Sequence, residues 1–178
     1  MRRAAWLAVL LLAAGCANRE GRVFRMTASS MEPTLHCARP GLGCLGAKPD
    51  LVYAERYGED DPHRGDIVAF ETPPRAERVC GAGGIFVKRV VGLPGEIWGE
   101  RRGVILIARR PLREPYIRPG RRDEAAYPGG RIPAQHYLLL GDNRTQSCDS
   151  RNFGLVPRAN ILGKVVQIKR GSKRIHLR

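Results

Sequence analysis

The sequence predicts a mostly β fold, an antiparallel sheet domain that follows a short apolar N-terminal segment. Three observations lead there. Short runs rich in β-branched, aromatic and leucine side chains recur at 23–24, 51–53, 67–70, 85–91, 104–107, 137–140 and 165–168. Turn-forming clusters such as Thr72-Pro73-Pro74 and Gly81-Ala82-Gly83-Gly84 separate them. No stretch beyond residue 20 keeps a helical apolar period over three turns. A chain of 178 residues, 43% of them hydrophobic, can bury a core of its own, and that composition excludes wholesale disorder.

The N-terminal segment comes first. Met1-Arg2-Arg3 precedes an apolar run over 4–17, a basic start and a short greasy stretch ending in small residues, as in an export signal. Fourteen residues fall short of the about 20 that span a bilayer comfortably. Its end, Leu12-Ala13-Ala14-Gly15-Cys16, resembles a bacterial lipoprotein signal, which makes Cys16 a candidate for lipid attachment. An uncleaved anchor over 1–17 is the other reading. Either one puts residues 21–178 outside the cytoplasm, beside the membrane. No second run of this kind exists, so a polytopic membrane protein is excluded.

Within 21–178, the segment from about 99 to 131 differs in character. It is rich in Arg, Pro and Gly around a single good strand, and reads as an inserted β-subdomain or a long surface loop. The four remaining cysteines, Cys37, Cys44, Cys80 and Cys148, suggest disulfides in an exported chain, and four allow three connectivities. Cys37 and Cys44 flank a Pro-Gly turn, so that loop closes easily, which leaves Cys80 with Cys148 by subtraction. A zinc site is the competing reading, but no C-x-x-C pair supports it.

Charge narrows the chemistry. The net charge is +14, carried by 26 Arg and five Lys, and it predicts an anionic partner. Nucleic acid has little support: there is no basic helix, no binding motif and only 6% aromatic residues. None of the four histidines lies in a hydrolase motif, which leaves a Ser-His-Asp triad without a base. A lysine can be that base if it loses its proton, whereas arginine cannot. Lys88 is the one lysine inside an apolar strand-like run, IFVKRVV over 85–91. Alternation sets Phe86, Lys88 and Val90 on one face, where desolvation favours the neutral amine. From alternation alone, a lysine snorkelling from a strand edge is the more ordinary reading. Two further segments stand out: Ser29-Ser30 before a Pro-containing turn, and a dense polar stretch over 141–151 directly after an apolar strand.

Together these segments resemble the bacterial type I signal peptidases, membrane-bound endopeptidases that use a Ser-Lys dyad. The resemblance rests on SSMEPTL (29–35), RGDIVAF (64–70), FVKRVVGLPGE (86–96) and GDNRTQSCDSRNFGLVP (141–157), in the family's order, with weaker echoes in EPYI (114–117) and ILGKVV (161–166). It implies that Ser30 is the nucleophile, Lys88 the general base, and Ser147 the hydroxyl that orients the lysine. It makes Asp149 and Arg151 a supporting ion pair, Asp142, Asn143 and Arg144 the core of the loop, and Met31 part of the substrate site. It also implies cleavage of the signal peptides of exported preproteins after a small residue, without metal or cofactor. The enzyme would sit at a phospholipid surface, with its catalytic domain on the extracytoplasmic side of the bacterial membrane. Where several members carry an oxyanion-binding serine this chain has Ala28, so the oxyanion would rest on the Ser30 backbone N–H, with Ser29 as a candidate helper. A specialised Ser-Lys processing protease and an inactive basic surface lipoprotein are the other readings.

Overall fold

The computed structural model describes residues 20–177. The 1–17 segment and Cys16 therefore lie outside the described residues. Among the described residues no helix is long and apolar enough to cross a membrane.

The main sheet contains β1 (Gly21–Arg25), β2 (Leu51–Glu55), β3 (Ile67–Glu71) and β4 (Ile85–Gly92), with α1 (Arg75–Cys80) between β3 and β4. A second sheet follows, built from β5 (Ile97–Arg101), β6 (Val104–Ile107), β7 (Arg110–Pro111) and β8 (Tyr127–Arg131). The chain then returns through β9 (His136–Leu140), α2 (Ser150–Phe153), β10 (Val156–Pro157), β11 (Ile161–Arg170) and β12 (Lys173–His176). The main sheet is ordered β1-β2-β11-β3-β4-β9-β10, with β12 on β11, and the small sheet β7-β6-β5-β8. Every recorded pairing is antiparallel.

Alternation along the strands builds the core. In β3, Ile67 and Ala69 face a cluster with Met31, Leu35, Val52, Val87 and Val165. Val68 and Phe70 face the opposite cluster with Val90, Leu139, Phe153 and Ile161. Likewise Tyr137 and Leu139 of β9 join that second cluster, while Leu138 and Leu140 meet Ile105 and Ile132 in a third, which joins the two sheets. Both faces of the central strands are therefore buried.

The segment after residue 96 forms a second, four-stranded antiparallel sheet, with its strands in 97–131. The sequence marked only β6 within it. β8 reads YPGGR, and its Pro and two Gly carry no strand propensity. The sheet pairing with β5 supplies what local preference lacks. β12 lies outside every strand-like run marked in the sequence. The two α-helices among the described residues, of six and four residues, are too short to show a period.

Where the sheet divides decides where a cleft can form. β3 pairs with β4 from Ile85 to Arg89, but the recorded pairing of β9 with β4 begins at Arg89, opposite Leu140. Residues 85–88 of β4 thus keep one edge free of β9, because the chain leaves β9 at Leu140 and turns into the polar loop. That loop is tied back to the small sheet by a fully buried ion pair, Arg144 with Glu114. Arg144 Nε also donates to Gly141 O at 3.0 Å. Removing one member of such a pair strands the other charge, which costs about 3–5 kcal/mol. Glu114→Ala is expected to lower unfolding free energy by about that much in urea titrations, and Glu114→Gln by clearly less, because it keeps an acceptor for Arg144.

Candidate active site

The 3-10 turn Ser29–Met31 sits against the free edge of β4. Lys88 Nζ lies 2.6 Å from Ser30 Oγ, 58 residues apart in sequence. Both side chains are buried, Lys88 to 3% exposure. Phe86, two residues earlier on the same face, sets its ring 5.3 Å from the amine. Desolvation pulls the Lys88 pKa down from its ordinary 10.5 to about 8; Asp149 and Asp142 work against that fall and Arg151 adds to it.

The loop after β9 clamps the turn. Asn143 N donates to Ser30 O at 3.0 Å, and Asn143 Nδ2 to Ser29 O at 3.0 Å. Asp142 takes Arg89 Nε and Nη2 at 2.8 and 2.6 Å and Thr34 Oγ1 at 2.5 Å, so one carboxylate joins β4, the turn and the loop. Asp149 caps α2 and accepts Gly141 N at 3.1 Å and Arg151 Nε at 2.9 Å. Arg151 reaches on to Asp123 at 2.8 Å. Gly141 is where the loop passes the turn: a Cβ there would collide with Ser147 Oγ and Ser30 O. Only glycine fits that approach.

A cleft of about 440 Å³ opens beside the pair. Met26, Ala28 and Ser30 form one wall, and Ile85, Val87 and Lys88 the other. Cys80 and Cys148, joined by a disulfide, line it too and fasten α1 to the loop. Cys37 and Cys44 are joined as well.

Three sequence expectations change here. Met31 is fully buried in the core beneath the turn and does not line the cleft, because its side chain packs with Leu35 and Val87. Ser29 has its one hydroxyl proton committed to Gln146 Oε1 at 2.8 Å, so that proton is not offered to an oxyanion. Ser147 makes no hydrogen bond to Lys88; its Oγ is buried with no hydrogen-bond partner among the described residues, while the amine is engaged by Ser30. The sequence reading also missed two carboxylates. Glu114 appeared only as part of a weak echo, and Glu32 holds the Cys37–Cys44 loop by accepting Cys37 N and Leu45 N at 3.0 and 2.9 Å. An acid four residues before His36 was the available signal.

A buried lysine amine within hydrogen-bond distance of a serine hydroxyl is an arrangement in which an amine can serve as base for attack by serine. The family model described as "Signal peptidase, peptidase S26" matches residues 2–169, and the chain belongs to this family of hydrolases. A signal peptidase I from Leptolyngbya laminosa is 41% identical over 119 residues, covering 65% of this chain and 57% of that protein. A probable signal peptidase I-2 from Synechocystis is 34% identical over 159 residues, covering 87% of this chain and 66% of that one. The chain thus spans 57 to 66% of the length of these relatives. A solved signal peptidase I from Enterococcus faecalis is similar at 30% identity and a TM-score of 0.48, covering 60% of this chain and 97% of that one.

The lowered pKa carries a stability cost with a definite sign. With its folded pKa near 8 and its ordinary one at 10.5, Lys88 opposes folding by about 3 kcal/mol below pH 8. That penalty is relieved as pH rises from 8 toward 10.5. Lys88→Met is therefore expected to raise stability by about 1–3 kcal/mol at pH 7, with the gain shrinking by pH 10. Chemical denaturation at the two pH values checks it.

Proposed function

We propose that this protein is a serine endopeptidase that removes N-terminal signal peptides from exported proteins, with Ser30 as nucleophile and Lys88 as general base. The single observation that carries the reading is the 2.6 Å approach of a desolvated lysine amine to a serine hydroxyl at the floor of a cleft. An intact pair of this kind counts against an inactive protein with a protease fold. The neutral Lys88 amine takes the Ser30 proton as Oγ attacks the scissile carbonyl carbon. The oxyanion is held by backbone N–H, that of Ser30 among them, since Ala28 has no hydroxyl to offer. As the C–N bond breaks, the Lys88 ammonium returns its proton to the departing amine, the new N-terminus of the mature protein. Water then gives a proton to Lys88 and attacks the ester; as the acyl–oxygen bond breaks, Lys88 passes that proton to Ser30 Oγ, freeing the signal fragment as a carboxylic acid and restoring both the hydroxyl and the neutral amine.

Ser147 has a role in the same cycle. Its buried hydroxyl, unpartnered among the described residues, is an acceptor for the Lys88 ammonium at the moment when Ser30 Oγ is bonded to substrate. Ala28, Ala82 and Gly83 line the cleft, which suits small substrate residues. The export-signal pattern at the N-terminus and the +14 charge support work at an anionic membrane surface, with the catalytic domain on the extracytoplasmic side.

Purified protein is expected to cleave a peptide bearing an Ala-x-Ala site. Ser30→Ala, Lys88→Ala and Lys88→Arg are each expected to abolish turnover, the last because a permanently charged side chain cannot act as a base. In wild type, kcat/KM is expected to rise about tenfold per pH unit up to about pH 8 and then level, as Lys88 loses its proton. Full activity in Ser30→Ala, or a rate flat from pH 6 to 9, contradicts the dyad.

A further inference from the structure

Gln146 lines the cleft, yet the chemistry above gives it no task. Its side chain is solvent-exposed, and such a glutamine normally samples many rotamers. Here two contacts restrain the side chain and one its backbone. Ser29 Oγ donates to Gln146 Oε1 at 2.8 Å. Gln146 N donates to Asn143 O at 3.1 Å, and Asn143 in turn clamps the Ser29–Met31 turn. From outside, Gly43 closes over the same amide: it has φ +76, and a Cβ built there would collide with Gln146 Oε1 and stand 3.1 Å from Cδ and Nε2. Gly43 ends the 3-10 turn Pro40–Leu42 within the disulfide-closed Cys37–Cys44 loop, which the buried Glu32 carboxylate fastens to the nucleophile's turn. A loop remote from the Ser30–Lys88 pair therefore ends on one amide at the rim of the cleft.

We propose that Gln146 is a substrate-binding residue, its Nε2 donating to a main-chain carbonyl of the substrate next to the scissile bond, with Ser29 and Gly43 as the residues that position it. The proposal rests on the Ser30–Lys88 reading. With Oε1 occupied by the Ser29 proton, Nε2 is the part of the amide left for a ligand. A peptide carbonyl is the matching acceptor, because an extended substrate in the cleft carries one at every residue. Neutrality matters as well. An arginine or lysine here would add positive charge beside Lys88 and shift its titration, whereas an amide donates without that effect. Ala28 has no hydroxyl and the Ser29 proton is spent on Gln146, so apart from the nucleophile itself residues 28–30 offer a substrate no side-chain donor, and Gln146 supplies one.

Steady-state cleavage of an Ala-x-Ala peptide tests this with Gln146→Ala, Gln146→Glu, Ser29→Ala, Ser29→Thr, Gly43→Ala and the Gln146→Ala/Ser29→Ala double variant. Loss of one neutral hydrogen bond corresponds to about a three- to tenfold fall in kcat/KM, expected in Gln146→Ala and no smaller in Gln146→Glu, which keeps the shape but lacks the N–H. Ser29→Ala and Gly43→Ala are expected to fall in the same direction, and Ser29→Thr to recover most of the loss. The double variant is expected to be no worse than Gln146→Ala alone, because Ser29 acts through Gln146. The pH–rate midpoint stays at its wild-type value in the uncharged variants, whereas Gln146→Glu, which adds a negative charge to the cleft, moves it upward. Wild-type kcat/KM in Gln146→Ala or Gln146→Glu, or fully additive losses in the double variant, overturns the proposal. Failure of the underlying reading looks different: inactive wild type, or an active Ser30→Ala.

Discussion

A lysine amine held out of water against a serine hydroxyl is the constraint around which this structure is organised. Such a group is stable only as long as nearby negative charge does not restore its proton. Two buried carboxylates, Asp142 and Asp149, are near enough to favour the ammonium. Each is committed elsewhere: Asp142 to the two-pronged contact from Arg89, Asp149 to Arg151 and to two backbone N–H groups. Arg151 itself lowers the Lys88 pKa. Arg151 therefore acts electrostatically as well as structurally, offsetting a carboxylate that the loop needs for its shape. This gives the excess of Arg over Lys a local meaning, since a guanidinium can cancel charge at these positions without competing as a base.

Topology places that pair. The parting of β9 from β4 at Leu140 frees the edge of residues 85–88, and the departing chain becomes the loop that clamps Ser30. The small sheet acts as a buttress from the other side. Glu114 anchors Arg144, and Asp123 with Glu100 anchors Arg151, so residues 141–151 are held from both sheets. The Cys80–Cys148 disulfide adds a covalent tie beside the cleft.

Much of this was readable in the chain. Alternation in IFVKRVV put Lys88 among apolar neighbours, and strands β2, β3, β4, β6, β9 and β11 stood out by composition. β8 did not, because YPGGR is a strand only through its pairing with β5. Met31 shows the limit of transferring a role by adjacency: one residue from Ser30, it points into the core, since the turn sends neighbouring side chains in different directions. Ser29 and Gln146 are 117 residues apart, and no local pattern announces a hydrogen bond at that separation. Glu114 and Arg144 belong to different sheets' surroundings, and only their common burial reveals that each requires the other.

Direct titration of the Lys88 amine tests the central claim most closely. In protein labelled at lysine side chains, the Lys88 signal, assigned by its absence from Lys88→Met, can be followed by NMR across the alkaline range. A midpoint near 8 is expected, well below the ordinary lysine value of 10.5. A Lys88 amine that keeps its proton to above about pH 10, like an ordinary solvated lysine, would contradict it.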